Sequence, residues 1–145
     1  MINSKQKGNR FELVTAKLLT EVTGIKWYRV GVSSGARYTT IGAEKYRGDV
    51  TTDHPEFQKY IIEAKATTGR ISLEDIVTKK SKFNRWIEQC IGESDDDNWI
   101  LIFKANNGKI FCVTPRENEF GEKYKLNLIA ALKLDNKQYK LYWFD

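Results

Sequence analysis

The segment Gln58 to Lys65 constrains the chain most: it reads as a strand whose apolar run is interrupted by an acid and a base. Side chains alternate along a strand. In Ile61-Ile62-Glu63-Ala64-Lys65, Glu63 and Lys65 therefore share one face while Ile62 and Ala64 turn to the other. A shorter strand, Gly48 to Asp53, precedes it through the turn-like His54-Pro55-Glu56-Phe57. Paired as a hairpin centred near residue 56, the two strands set Asp49 opposite Glu63. Facing like charges destabilise paired strands by a few tenths to ~1 kcal/mol. A divalent cation held between the two carboxylates would compensate.

The hydrophobic periodicity supplies the elements around this pair. Phe11, Val14, Leu18, Leu19 and Val22 recur at helical spacing and Gly24 follows as a cap, predicting a helix over Ser4 to Thr23. Trp27 to Val32 reads as a strand, and Ser33 to Arg47 as a Gly-, Ser- and Thr-rich loop long enough to be functional. Ser72 with Asp75 resembles a capping box, after which Ile76, Val77, Lys80, Phe83, Ile87, Cys90 and Ile91 carry one amphipathic helix to Gly92. Asn98 to Phe103 is a buried strand, and Asn107-Gly108 turns it into Ile110 to Val113. Leu132 to Phe144 reads as a second hairpin turning near Asp135-Asn136. The order predicts a single α/β domain over residues 1–145, a mixed central sheet flanked by helices.

No run approaches the roughly 20 apolar residues of a membrane span. Met1-Ile2-Asn3-Ser4-Lys5 turns polar at once, so a soluble, intracellular protein is expected. Cys90 and Cys112 stand apart among apolar neighbours with no histidine partners, which excludes a zinc site and predicts buried thiols. His54 fits its turn, and the four tryptophans, Trp27, Trp86, Trp99 and Trp143, fit core faces. The apolar stretch Leu141 to Phe144 is the expected dimer seam.

The net charge of +5 matters less than its placement. Lys5, Lys7 and Arg10 open the chain, Arg29, Arg37, Lys45 and Arg47 surround the loop, and Lys79, Lys80, Lys82 and Arg85 form a third cluster. Acid gathers instead in the tract Glu93 to Asp97. Such segregation suits a basic face for phosphates. Lys5, Lys7, Arg10, Arg37, Lys45, Arg47, Lys79, Lys80 and Lys82 are the expected DNA contacts.

Mg²⁺ suits Asp49 and Glu63 chemically: it takes oxygen ligands, uses one or two carboxylates, keeps waters and engages phosphate. The Ala64 carbonyl can add a ligand. Lys65 is placed to orient or deprotonate an attacking water and to offset charge on a scissile phosphate. An E-x-K triplet alone is commonplace on a solvated edge strand. The order of elements around it carries the argument.

In that order the chain resembles the PD-(D/E)xK nuclease superfamily and, within it, the archaeal-type Holliday junction resolvases. Lys7-Gly8-Asn9-Arg10-Phe11-Glu12 matches their basic, glutamate-bearing first helix, and Ser33-Ser34-Gly35 their loop after the first strand. Gly48-Asp49 stands for the acidic motif and Glu63-Ala64-Lys65 for the ExK motif, with Gly48 where the family's name carries a proline. The likeness covers roughly residues 5 to 118. It implies a restriction-endonuclease-like core, with Asp49 and Glu63 as metal ligands completed by Glu12, Lys65 as the catalytic lysine, and Ser34 near the scissile phosphate. It further implies Mg²⁺ as cofactor (Mn²⁺ substituting), branched DNA as substrate and no membrane or small-molecule cofactor. Paired incisions need two active sites, hence a homodimer, in the cytoplasm or at the nucleoid.

Two other readings use the same residues. A restriction-like or repair endonuclease would act on duplex or flapped DNA, but needs a base-reading element. A DNA-binding module could keep the fold without activity, against which the intact Asp49, Glu63 and Lys65 argue.

Overall fold

A computed structural model describes residues 4–30, 48–79, 81–94, 96–105 and 108–144, with residues 4–9 as backbone only. Helix α1 spans Ser4–Thr23, as its periodicity predicts, and stops where Gly24 takes φ +73° and its amide caps the Thr20 carbonyl at 2.9 Å. Phe11, Thr15, Ala16 and Leu19 form its buried face, whereas Val14, counted in the predicted stripe, is half-exposed. Strands β1 (Tyr28–Arg29) and β2 (Val50–Thr51) are short, and β3 runs over Ile61–Thr67.

The single helix expected after Ser72 is two. Helix α2 (Leu73–Val77) starts at Ser72, whose Oγ accepts the Asp75 amide at 3.1 Å, and ends before Lys79, which takes the left-handed φ of 61°. Asn84 Nδ2 donates to the Ile76 carbonyl at 3.0 Å, near the end of α2. Ser81, extended and buried, then caps α3 (Lys82–Glu93) through the Phe83 amide at 3.1 Å. Gly92 lies inside the last turn of α3 rather than closing it. The apolar stripe continues across the break between Val77 and Lys82, so periodicity alone does not reveal it.

β4 (Trp99–Ala105) and β5 (Ile110–Pro115) follow as an antiparallel pair, with the Gly108 amide donating to the Ala105 carbonyl at 2.7 Å. Asn107 of the predicted turn lies outside the described residues. A short α4 (Phe120–Lys123) leads to β6 (Asn127–Leu134) and β7 (Lys137–Phe144). These form the predicted second hairpin: Asp135 and Asn136 both take positive φ, the signature of a two-residue type I′ turn.

The strands make one mixed seven-stranded sheet in the order β1-β2-β3-β4-β5-β7-β6. Only the β3–β4 contact is parallel among the described pairs, because α2 and α3 carry the chain back between them. Alternation sorts the two faces. Ile62, Ala64, Ile100 and Ile102 pack with α1 and Phe120, while Ile61, Leu101 and Phe103 pack with Phe83, Ile87 and Cys90 of α3. Burying each large aliphatic side chain stabilises by about 1.5–3 kcal/mol. Both cysteines are buried and free. Of the apolar stretch expected as a dimer seam, Tyr142 and Phe144 are buried in the core, whereas Leu141 and Trp143 are half-buried. No described helix is long and apolar enough to cross a membrane.

Because Ser81 restarts the helix that frames one sheet face, Ser81→Ala is expected to cost about 1 kcal/mol. Urea denaturation followed by circular dichroism measures it.

Candidate active site

The site forms where β2 joins β3. Val50 pairs with Ile62, and the preceding Asp49 donates its amide to the Ile62 carbonyl at 2.7 Å. Its side chain then turns to β3: the Ala64 amide donates to Asp49 Oδ2 at 2.9 Å. A carboxylate thus occupies a position on the ladder where a carbonyl would ordinarily accept. Gly48 makes this approach possible. It has φ +86°, and a Cβ there would lie 2.6 Å from the Ile62 oxygen. Proline, fixed near φ −65°, could not adopt this conformation. The departure from the family's motif therefore has a steric reason.

As the hairpin register predicts, Asp49 and Glu63 meet, and their side chains are hydrogen-bonded. Glu63 is only 2% exposed, beneath α3. Its other carboxyl partner is Glu93, from the last turn of α3, which also accepts from Gln89 Nε2 at 3.1 Å. Lys65 Nζ lies 4.0 Å from Glu63 Oε2. Along the same face, Lys82 at the start of α3 donates from Nζ to Thr67 Oγ1 at 3.3 Å. Glu63, Lys65, Thr67 and Lys82 therefore line one side of β3.

Burial first, then the Glu93 and Asp49 carboxylates, push Glu63 up to about 10. Glu93 moves the opposite way, below the ordinary carboxylate value, because the proton on Glu63 serves its carboxylate. Burial also raises the Cys90 thiol beside them. Once Glu63 gives up its proton, the two facing carboxylates would form a hard oxygen donor pair that fits a divalent cation. Asp49 and Glu63 would hold it.

The remaining sequence-predicted residues divide. Glu12 is not brought to this group; Arg29 of β1 holds it, Nε to Oε2 at 3.0 Å, with both side chains largely buried. Among the described residues no three His, Cys, Asp or Glu side chains are arranged to hold a metal ion. Arg10 is exposed on α1, and Lys79 is ion-paired with Asp135. Ser34, Arg37, Lys45, Arg47 and Lys80 lie outside the described residues, as do the side chains of Lys5 and Lys7. The residue that sequence reading missed is Glu93. It sits in an acidic tract that reads as solvated surface, and only the fold of α3 over β3 shows its neighbour.

Comparison with known proteins agrees with this geometry. A family model described as "Phage putative PDDEXK endonuclease" matches residues 3–144. The chain belongs to this PD-(D/E)xK endonuclease family. Family membership supports a nuclease, and PD-(D/E)xK nucleases generally use divalent metals. The chain is also similar to Protein D14 of Escherichia phage T5, 31% identical over 113 residues, covering 74% of this chain and 68% of that protein. No solved structure matches.

The Glu63 shift has a sign that can be measured. The metal-free folded chain keeps a proton that the unfolded chain releases above about 4.5, so this contribution to stability is full below pH 4.5 and is lost as pH rises towards 10. Glu63→Gln, neutral at every pH, removes that slope. In EDTA its melting temperature should gain steadily on wild type between pH 5 and pH 9, and parallel curves would refute the buried proton.

Proposed function

We propose that this nuclease is a Mg²⁺-dependent, structure-selective endonuclease that resolves four-way DNA junctions by phosphodiester hydrolysis. The observation that carries the reading is the meeting of Asp49, Glu63 and Lys65 at the β2–β3 seam, with Glu63 buried, Asp49 half-buried and the ammonium 4.0 Å from Glu63. A divalent ion bound there supplies Lewis-acid activation of phosphate and water.

The chain's own residues do the rest. Asp49, fixed by the Ala64 amide, presents a carboxylate that cannot swing away. Glu63 would release its buried proton to solvent where a cation is held, its carboxylate then serving as ligand. Lys65, a quarter exposed, reaches from the buried acid towards solvent, where a phosphate can approach. It offsets charge developing on the scissile phosphate. Lys82 extends the same face for a neighbouring phosphate, and Arg10 and Lys79 add contacts to the DNA backbone. Contacts of this kind position a substrate without reading bases, which favours recognition of branch shape. Two symmetric incisions call for a two-fold homodimer. The phage relative supports action inside a host cell.

The test uses a labelled four-way junction beside a matched linear duplex. Wild type is expected to place paired nicks in the junction alone, with Mg²⁺ or Mn²⁺ and not with EDTA. Asp49→Asn, which keeps an acceptor for the Ala64 amide, should fold and not cut. Lys65→Ala should lose about 10²- to 10³-fold, the range for removing a group that stabilises transition-state charge. Equal cutting of the duplex would replace junction selectivity with a duplex or flap endonuclease. Tight binding without any cutting would leave a binding module.

A further inference from the structure

Cross-strand partners share a sheet face. The register sets Lys65, Phe103, Phe111 and Trp143 side by side across β3, β4, β5 and β7, on the face that carries Glu63. The row therefore begins at the lysine of the acid site and continues through three aromatic residues. Its inner part is packed: Trp86 of α3 lies 5.9 Å from Phe103 between ring centroids, and Phe103 stacks on Phe111 at 5.5 Å and 26°. Phe103 is buried, whereas Phe111 and Trp143 are half-buried. Trp143 packs into neither hydrophobic cluster of the described residues, and its indole Nε1, withdrawn from solvent, finds no acceptor among them. As filling alone, phenylalanine would serve there without an orphan donor. What Trp143 does have is a cation: Nζ of the exposed Lys109 sits 5.8 Å from its ring centroid.

Resting on the DNA-directed reading above, we propose that Trp143, beside Phe111, is a stacking platform for an unstacked nucleobase of the DNA strand whose scissile phosphate lies at Lys65. Neighbouring strands are ~4.8 Å apart, so Phe111 and Trp143 stand about 10 and 14 Å from Lys65 along the row. A stacked strand advances about 3.4 Å per nucleotide, which puts the platform roughly three or four nucleotides from the scissile phosphate. Charge fits as well: Lys65 and Lys82 stand at one end of the row and Lys109 at the other, where its ammonium can leave the ring for the phosphate of the stacked nucleotide. Every base has a π-face, so the platform separates DNA with exposed bases from intact duplex without reading sequence. A branch point or a single strand offers such bases.

Fluorescence anisotropy of labelled DNA, in EDTA so that nothing is cut, tests this on the full chain with a four-way junction, a single strand and a matched duplex. Trp143→Leu is expected to weaken binding of junction and single strand about 10-fold and to leave the duplex, held through phosphates, unchanged. Trp143→Phe, which keeps a π-face, is expected within about threefold of wild type on all three. Stacking also quenches indole emission, so the single strand should quench wild type and quench Trp143→Phe much less. Wild-type affinity in Trp143→Leu overturns the proposal. So does an equal loss on the duplex, or a Phe variant as weak as the Leu variant. If Trp143→Leu does not fold, the emission comparison decides: equal quenching of wild type and Trp143→Phe overturns the platform. A wild type that binds through Trp143 yet never cuts in Mg²⁺ is a different result, which supports the platform and removes the nuclease chemistry.

Discussion

The hydrogen bond from the Ala64 amide to the Asp49 carboxylate is the contact on which the site depends. It exchanges a backbone acceptor for a side-chain one, so it both ends the regular β2–β3 ladder and fixes an acid beside the strand that carries Glu63 and Lys65. The contact exists only because Gly48 passes within a backbone's reach of Ile62 at a φ that side chains disfavour. The turn at Gly48 and placement of the Asp49 carboxylate are thus one arrangement. A substitution at Gly48 would be felt first by the chemistry and only then by the core.

Burying Glu63 is costly, and the fold spreads that cost. The residue stands on the sheet face that α3 covers, among Ile61, Leu101 and Cys90, where an ionised carboxyl finds little solvation. In the metal-free chain a proton neutralises it. Lys65 and Lys82 lie on this same face, so the buried acid stands at one end of a lysine-lined strip. Glu12, in contrast, is ion-paired with Arg29 across the α1–β1 contact.

Much of this was legible in the sequence, for definable reasons. α1, the Asp49–Glu63 juxtaposition and the Asp135-Asn136 turn are local: each follows from spacing or from a hairpin of fixed register. What escaped is non-local or depends on one dihedral angle. Lys79 breaks a helix whose apolar stripe continues on both sides. Glu93 lies thirty positions from Glu63, in a tract that resembles solvated surface. The burial of Tyr142 and Phe144 depends on β7 inserting between β5 and β6, which nothing in the sequence announces.

That insertion separates two kinds of change. β6 touches the sheet only through β7, so the two strands join as a unit at the edge remote from the acid pair. From β3 to β6 there are four strand spacings, about 19 Å across the sheet. Alterations at that outer edge, where Leu128 and Ile129 face solvent, are insulated from the electrostatics at Glu63 by three intervening strands. The chain can therefore vary its outer surface while the ladder that seats Asp49 stays as it is.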